Sequence, residues 1–220
     1  KHETIYYPNK IKQIIGRFNT QNLPEKDERE AVETITELIE YYKGIFTILS
    51  SCAARQLEEV TFRRNTIPVQ ELFDAAGKYF RKVTKNRTEK VELIIEPMDA
   101  KVIGDVNQLR FLFENLIDEA LAVREEGVIR LQARKDNEYI RFLFTDTRRE
   151  KSVTELNQLF YPNLARMTSG EKGELRGTEY LICKQIIRDH DEFAGRRGCR
   201  INAEPAEGGG FTVYFTIPRR

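Results

Sequence analysis

The sequence has no tryptophan, two methionines and only three cysteines. The cysteines, Cys52, Cys183 and Cys199, are odd in number and form no CxxC pair, so they indicate neither a disulfide framework nor a zinc site. No stretch approaches the roughly eighteen uninterrupted apolar residues of a transmembrane helix. The first residues also lack the pattern of a signal peptide. We therefore expect this chain to lie in the reducing environment of the cytoplasm.

Neither sign of charge is in excess, because 36 Lys and Arg residues stand against 35 Asp and Glu residues and the formal net charge is +1. Such a chain has no global field that would draw nucleic acid or an anionic membrane toward it. The composition, 40% hydrophobic and 32% charged, is ordinary for a globular protein. A length of 220 residues suits one large domain or a small one plus a medium one.

The first 60 residues are predicted to be helical. Apolar residues recur at steps of three and four from Ile11 to Phe18, and turn residues at positions 20–26 separate them from a second run. That second run keeps an unbroken heptad seam from Val32 to Ala53. Two helices of this size have too small a core to stand alone, so we expect residues 1–60 to form a hairpin that dimerises into a four-helix bundle.

From residue 61 onward the apolar periodicity alternates between that of helices and that of strands. The pattern predicts an α/β sandwich over residues 61–220, so the whole chain is of the α+β class. The elements predicted there are a helix ending at Val83, strands at residues 91–95 and 101–103, a strand hairpin around residues 135–138, a short helix at residues 156–160, a mobile loop at residues 163–176, a helix at residues 178–190 and two final strands.

The central helix of this second part runs from Asp105 to Ala122. Its apolar residues form a stripe on one side, and Asp105 is placed to cap its N-terminus. Asn115 and Glu119 are four residues apart and share a face about one turn from that stripe. Periodicity alone is compatible with an ordinary amphipathic helix that has two polar residues at its edge.

The order of the residues in this helix resembles the N box of sensor histidine kinases. The box reads D-x-x-x-L-x-x-x-x-x-N-L-x-x-N-A in that family, and Asn115 and Glu119 stand at its two asparagine positions. The resemblance extends over essentially the whole chain, from the helical hairpin to the α/β sandwich. It implies a dimerisation and phosphotransfer hairpin followed by an ATPase domain of the GHKL (Bergerat) type.

The resemblance also implies a reaction. ATP with Mg²⁺ would donate a phosphoryl group to a histidine, which passes it to the receiver domain of a response regulator. His2 and Glu3 stand at the phosphoacceptor motif, with Pro8 six residues after the histidine. Asn115 and Glu119 would hold the magnesium. Asp146, supported by Thr147, would accept a hydrogen bond from the adenine amino group, and Gly177 would lie on the phosphate side. The chain would then be the cytoplasmic part of a longer, membrane-bound sensor, acting as a homodimer and binding no nucleic acid.

The two glycine boxes of the family are degenerate in this sequence. In D-x-G-x-G the glycines are replaced by Arg148 and Glu150, and in G-x-G-x-G the first and third are replaced by Leu175 and Glu179. Glycine lets the backbone pass close to a ligand, whereas the four replacement side chains add bulk. Two of them, Glu150 and Glu179, also add negative charge near the phosphate groups of a nucleotide. We expect the phosphate side of the pocket to be blocked or rearranged, and ATP binding to be weak.

Three functions stay open on the sequence. The first is a working histidine kinase with a diverged nucleotide pocket. The second is a pseudokinase, which acts as a dimeric signalling scaffold or as a phosphatase without turning over ATP. The third is a chaperone-type or anti-sigma-type ATPase on the same fold, against which the heptad hairpin with its His-Glu pair argues.

Overall fold

The structure, a computed structural model of the 220-residue chain, describes residues 29–35, 62–161, 168–169, 175–176 and 179–220. The chain divides into two units. The first comprises Lys1–Gln56 and Pro162–Gly177. Within it, residues 29–35 are helical, and strands β6 (Thr168–Ser169) and β7 (Leu175–Arg176) pair antiparallel. The rest of the predicted hairpin lies outside the described residues.

The second unit, Leu57–Tyr161 with Thr178–Arg220, carries the remaining elements. Its helices are α1 (Val69–Thr84), α2 (Val106–Leu121), α3 (Val153–Gln158) and α4 (Glu179–Phe193). Its strands are β1 (Asn65–Pro68), β2 (Val91–Ile95), β3 (Lys101–Gly104), β4 (Gly127–Asp136), β5 (Tyr139–Asp146), β8 (Ile201–Pro205) and β9 (Phe211–Pro218). No helix among the described residues combines the length and the apolar character needed to cross a membrane.

Five of these strands form one sheet in the order β2-β4-β5-β9-β8. The β2–β4 pair is parallel and the others are antiparallel, while β1 and β3 form a separate antiparallel pair. Strand β5 alternates between buried and half-buried residues along its whole length. That period of two is the signature of a sheet with one face packed on a core.

Aromatic rings fill the core between the sheet and the helices. Phe142 of β5 stacks on Phe215 of β9 with the ring centroids 4.9 Å apart. Phe113 of α2 and Phe73 of α1 meet Phe142 edge-on at 5.8 and 6.0 Å. All four side chains are essentially excluded from solvent. Edge-to-face and offset contacts of this kind stabilise a core beyond the area that they bury, and they join the helix layer to the sheet.

The helices and strands predicted from residue 61 onward are found in the structure with small shifts at their ends. Most of the loop predicted at residues 163–176 lies outside the described residues, and its described part contains the short strands β6 and β7. Helix α3 is the clearest shift, because it begins at Val153 rather than at the predicted Leu156. Ser152 Oγ accepts a hydrogen bond from the Glu155 amide, and the Glu155 carboxylate accepts one from the Ser152 amide. This reciprocal capping starts the helix earlier than its apolar residues alone suggest.

The start of β9 lies close to the end of β5. A Cβ atom added to Gly210 would stand 2.1 Å from the carbonyl oxygen of Asp146 and 2.7 Å from the Cα of Thr147. Gly210 also has φ of +82°, in the left-handed region that favours glycine. Only a glycine therefore lets the two strands approach at this point.

We predict that Gly210→Ala destabilises the protein far more than Gly208→Ala does. Gly208 has φ of +90° but nothing within 4 Å of an added Cβ, so it supplies a matched control for backbone strain. Gly208→Ala is expected to lower the free energy of unfolding by about 1–2 kcal/mol. Gly210→Ala should lower it by about 1–3 kcal/mol more, because the added Cβ clashes with the backbone. Urea denaturation of both variants measures the difference, and equal losses would contradict the close approach.

Candidate functional site

The site is built on α2, whose start is held by Asp105. The Asp105 carboxylate accepts hydrogen bonds from the backbone amides of Asn107 (2.9 Å) and Gln108 (3.1 Å), as an N-cap does. It also accepts one from the Arg63 amide at 2.8 Å. Asp105 therefore fixes the N-terminus of α2 and ties the segment before β1 to it.

Asn115 and Glu119 lie on consecutive turns of α2, as the periodicity predicts. Asn115 is buried, and its side-chain nitrogen donates to the carbonyl oxygen of Phe111 at 2.7 Å. Glu119 is half-buried and lies near Tyr180 at the start of α4. Burial raises the pKa of the Tyr180 phenol well above its ordinary value, and the Glu119 carboxylate raises it further. Tyr180 is therefore a neutral hydroxyl beside the acidic face of α2.

Asp146 is the last residue of β5, and its carboxylate is engaged by Arg148. Arg148 Nε donates to Oδ1 at 2.8 Å and Nη2 donates to Oδ2 at 2.9 Å, so the guanidinium grips both oxygens. The Arg148 backbone amide donates to Oδ1 as well, at 3.1 Å. Both side chains are only 1% exposed. A two-point arginine–carboxylate pair of this kind is among the strongest hydrogen-bonded contacts in proteins.

The same guanidinium closes the C-terminal end of α2. Arg148 Nη2 donates to the carbonyl oxygen of Ala120 at 2.6 Å, and Nη1 donates to that of Glu125 at 3.1 Å. Carbonyls at a helix C-terminus lack intrahelical partners and favour a cation. Gly127 provides the room, since a Cβ there would lie 2.8 Å from Arg148 Cγ. Arg148 thus fills the space between Asp146 and the end of α2.

Arg149 and Thr147 complete this cluster. Arg149 Nη2 lies 3.4 Å from Asp146 Oδ2 and 3.5 Å from the Glu119 carbonyl oxygen, and its guanidinium stands 5.9 Å from the centroid of the Phe211 ring. Thr147 Oγ1 donates to the carbonyl oxygen of Val128 at 2.8 Å. The threonine therefore anchors the segment after β5 to β4.

The structure brings Asn115, Glu119, Asp146 and Thr147 to one region, formed by α2 and the end of β5. His2, Glu3 and Gly177 lie outside the described residues. Sequence reasoning marked Arg148 as a bulky replacement in the nucleotide pocket, and the structure places its guanidinium on the Asp146 carboxylate. The contacts to Ala120 and Glu125 are more than 20 residues away in sequence, so no local pattern indicates them.

His190 is a second buried polar group, at the end of α4. Its ring is fully buried. Nε2 accepts a hydrogen bond from the Asp105 amide at 3.1 Å, and Nδ1 lies 2.8 Å from the Ile186 carbonyl oxygen. This arrangement requires a neutral ring with its proton on Nδ1. Burial lowers the pKa of His190 below its ordinary value. The Phe62 ring packs on it at 4.9 Å, so His190 has a structural role.

We predict that Arg148→Ala destabilises the fold by about 3–5 kcal/mol, because it leaves a buried carboxylate with weaker partners. Arg149→Ala is the matched control. Its hydrogen bonds to Asp146 and Glu119 are long and its side chain is 15% exposed, so its loss is expected to be much smaller. Chemical denaturation monitored by circular dichroism measures both, and equal losses would show that Arg148 does not hold Asp146.

We also predict that stability falls as the pH is lowered from 7 through about 6. The native pKa of His190 lies below the unfolded value of about 6.5. The unfolded state therefore binds a proton in this range that the native state does not, which favours unfolding. Urea midpoints measured across this range in wild type and His190→Gln test the assignment. The variant is less stable at pH 7 but has a shallower slope; parallel slopes would point to another group.

Known proteins with the same architecture match this chain. Residues 104–220 match the family described as histidine kinase-, DNA gyrase B- and HSP90-like ATPase. No curated protein matches the sequence.

Solved structures resemble the fold at low identity. A mycobacterial sensor histidine kinase, MprB, is 18% identical with a TM-score of 0.54, covering 72% of this chain and 99% of its own. The Acinetobacter baumannii histidine kinase AdeS is 12% identical with a TM-score of 0.53, covering 99% and 98%. Histidine kinase ThkA, solved in complex with the response regulator protein TrrA, is 18% identical with a TM-score of 0.58, covering 100% and 59%.

Proposed function

The chain belongs to the histidine kinase-, DNA gyrase B- and HSP90-like ATPase family, and we propose that it is a pseudokinase of two-component signalling. In this proposal it acts as a dimeric scaffold or phosphatase for a response regulator and does not turn over ATP. The observation that carries the proposal is the buried pair between Asp146 and Arg148. It stands at the position where the sequence resemblance assigns the adenine contact.

The adenine end does not fit a nucleotide as it stands. Asp146 would have to accept a hydrogen bond from the adenine amino group, yet both of its oxygens already accept from Arg148. An incoming adenine must displace a guanidinium that also bonds the end of α2. Breaking a buried pair costs about 3–5 kcal/mol, and about 4 kcal/mol is a thousandfold in affinity.

The metal end does not separate a pseudokinase from a working kinase. Asn115 and Glu119 share a face of α2 and would contribute one amide oxygen and one carboxylate to Mg²⁺. Magnesium bound through one or two protein oxygens depends on substrate phosphates for its other ligands. This pair would therefore need a bound nucleotide to complete the metal site.

The proposed partners follow from the family. ThkA is solved with a response regulator, and we propose a receiver domain as the partner of this chain. The hairpin of residues 1–60, with His2 and Glu3 as the phosphoacceptor pair, would form the homodimer, and residues 61–220 would be the ATPase-type domain. The setting would be the cytoplasmic side of a longer sensor. A working kinase is the second candidate, because Asn115 is kept at its predicted place on α2.

We predict that the wild-type protein binds Mg-ATP with a Kd of roughly millimolar or weaker, about −4 kcal/mol. Arg148→Gly restores a family glycine and frees Asp146, so it should tighten binding at least about tenfold. Adding Asp146→Ala should abolish that gain, because the adenine partner is then lost. Titration calorimetry measures all three, with Arg149→Gly as the control for removing a neighbouring arginine. Circular dichroism confirms that each variant is folded.

Low-micromolar binding by the wild type, lost in Asp146→Ala, would overturn the pseudokinase proposal in favour of a diverged kinase. Labelled ATP would then leave acid-labile phosphate on the protein, and His2→Ala would remove it.

A further inference from the structure

Exposed cations gather at one end of the five-stranded sheet in the second unit. They come from the end of β4, the loop between α4 and β8, the last residues after β9 and the start of β3. We call this set the basic end; its members are Lys101, Arg134, Lys135, Arg200, Arg219 and Arg220, all exposed to solvent.

Backbone hydrogen bonds hold these segments together. The Arg219 amide donates to the carbonyl oxygen of Glu138 at 2.8 Å, and the Arg220 amide donates to that of Lys101 at 3.1 Å. The Arg200 amide donates to Thr216 Oγ1 at 3.0 Å, which joins the loop before β8 to β9. The cations are therefore presented from rigid neighbouring elements and not from separate parts of the surface.

The acidic residues of this region are already paired. Asp136 bonds Arg141 at 2.9 Å, Glu138 bonds Arg196 at 3.2 Å, and Asp191 bonds Arg197 at 3.2 Å. No member of the basic end has an ion-pair partner among the residues that the structure describes. The region thus presents six exposed cations without an ion-pair partner among the described residues, although the whole chain is nearly neutral.

One member of the basic end lies opposite another arginine. Arg134 on β4 lies directly opposite Arg141 on β5. Like charges facing each other across adjacent strands are destabilising, and the Asp136 carboxylate that pairs with Arg141 leaves Arg134 without an acidic partner among the described residues. An anionic surface covering this end would offset the repulsion.

We propose that the basic end docks on the anionic surface of a phospholipid bilayer. The paired N–H donors of an arginine guanidinium match the geometry of phosphate oxygens. Each Lys or Arg near an anionic membrane surface also adds to the binding free energy. The proposal is independent of whether the site on α2 binds a nucleotide.

A bilayer fits this surface better than a protein or a nucleic acid. A protein interface needs an apolar centre, whereas the members of the basic end are all long flexible cations. Single-stranded nucleic acid needs rings on which bases stack. The aromatic rings nearest this region already have partners. Tyr139 donates a hydrogen bond to the Arg197 carbonyl oxygen, and the Arg141 guanidinium stands 5.1 Å from the Tyr214 ring centroid. Phe193 packs on Phe62 with the ring centroids 5.8 Å apart.

Vesicle sedimentation of the full chain tests the proposal. The wild type should sediment with vesicles of phosphatidylserine and phosphatidylcholine, not with phosphatidylcholine alone, and high salt should release it. Lys135→Gln with Arg200→Gln should lower the partition coefficient about 30-fold, or about fivefold for each neutralised cation. Lys78→Gln with Lys82→Gln removes the same charge from the exposed face of α1 and should leave binding unchanged.

Three results would overturn the proposal. The first is equal binding to both kinds of vesicle, or to neither. The second is an equal loss in both double variants, which would indicate a general charge effect. The third is a labelled single-stranded oligonucleotide that binds more tightly than anionic vesicles and loses its affinity in Lys135→Gln with Arg200→Gln, which would assign the surface to nucleic acid instead.

Discussion

The buried pair of Asp146 and Arg148 joins three parts of the second unit. Its carboxylate ends β5, its guanidinium begins the segment that follows, and the same guanidinium bonds the carbonyl groups at the end of α2. A buried charge is tolerated only when it is paired and hydrogen-bonded, and the contacts of this pair with the backbone and with each other meet that condition. The position of Arg148 is therefore set by stability, and the closed adenine end that we propose would be its consequence.

This arrangement explains why replacing a glycine should oppose ligand binding more strongly than adding a negative charge does. Gly127 and Gly210 keep the backbone close around the pair, because a Cβ on Gly127 would meet Arg148 and one on Gly210 would meet Asp146. The family box has a glycine where Arg148 stands. In our proposal, the Arg148 side chain fills space that a ligand would otherwise need. Negative residues such as Glu119 can be offset by counterions, whereas a side chain bonded on both sides must be displaced as a unit.

Periodicity predicted most of the second unit, because its strands and helices bury one face each. The alternation in Tyr139–Asp146 and the stripe of α2 both follow from that rule. It placed the start of α3 three residues late, since a capping box is not an apolar signal. Position in a motif marked Asp146 and Arg148, but the contacts of Arg148 with Ala120 and Glu125 depend on the tertiary approach of α2 and the segment after it. The sequence therefore indicated which residues matter and missed what they bind.

The net charge of +1 is a sum over the whole chain and does not show where charges of one sign gather. It excludes a uniform field, yet paired acids such as Asp136 and Glu138 leave Arg134, Lys135 and Arg200 without counterions among the described residues. Potentials near a surface depend on charges within about a Debye length, roughly 8–10 Å. A nearly neutral protein can therefore present one strongly basic end, and only the fold shows which cations lie together.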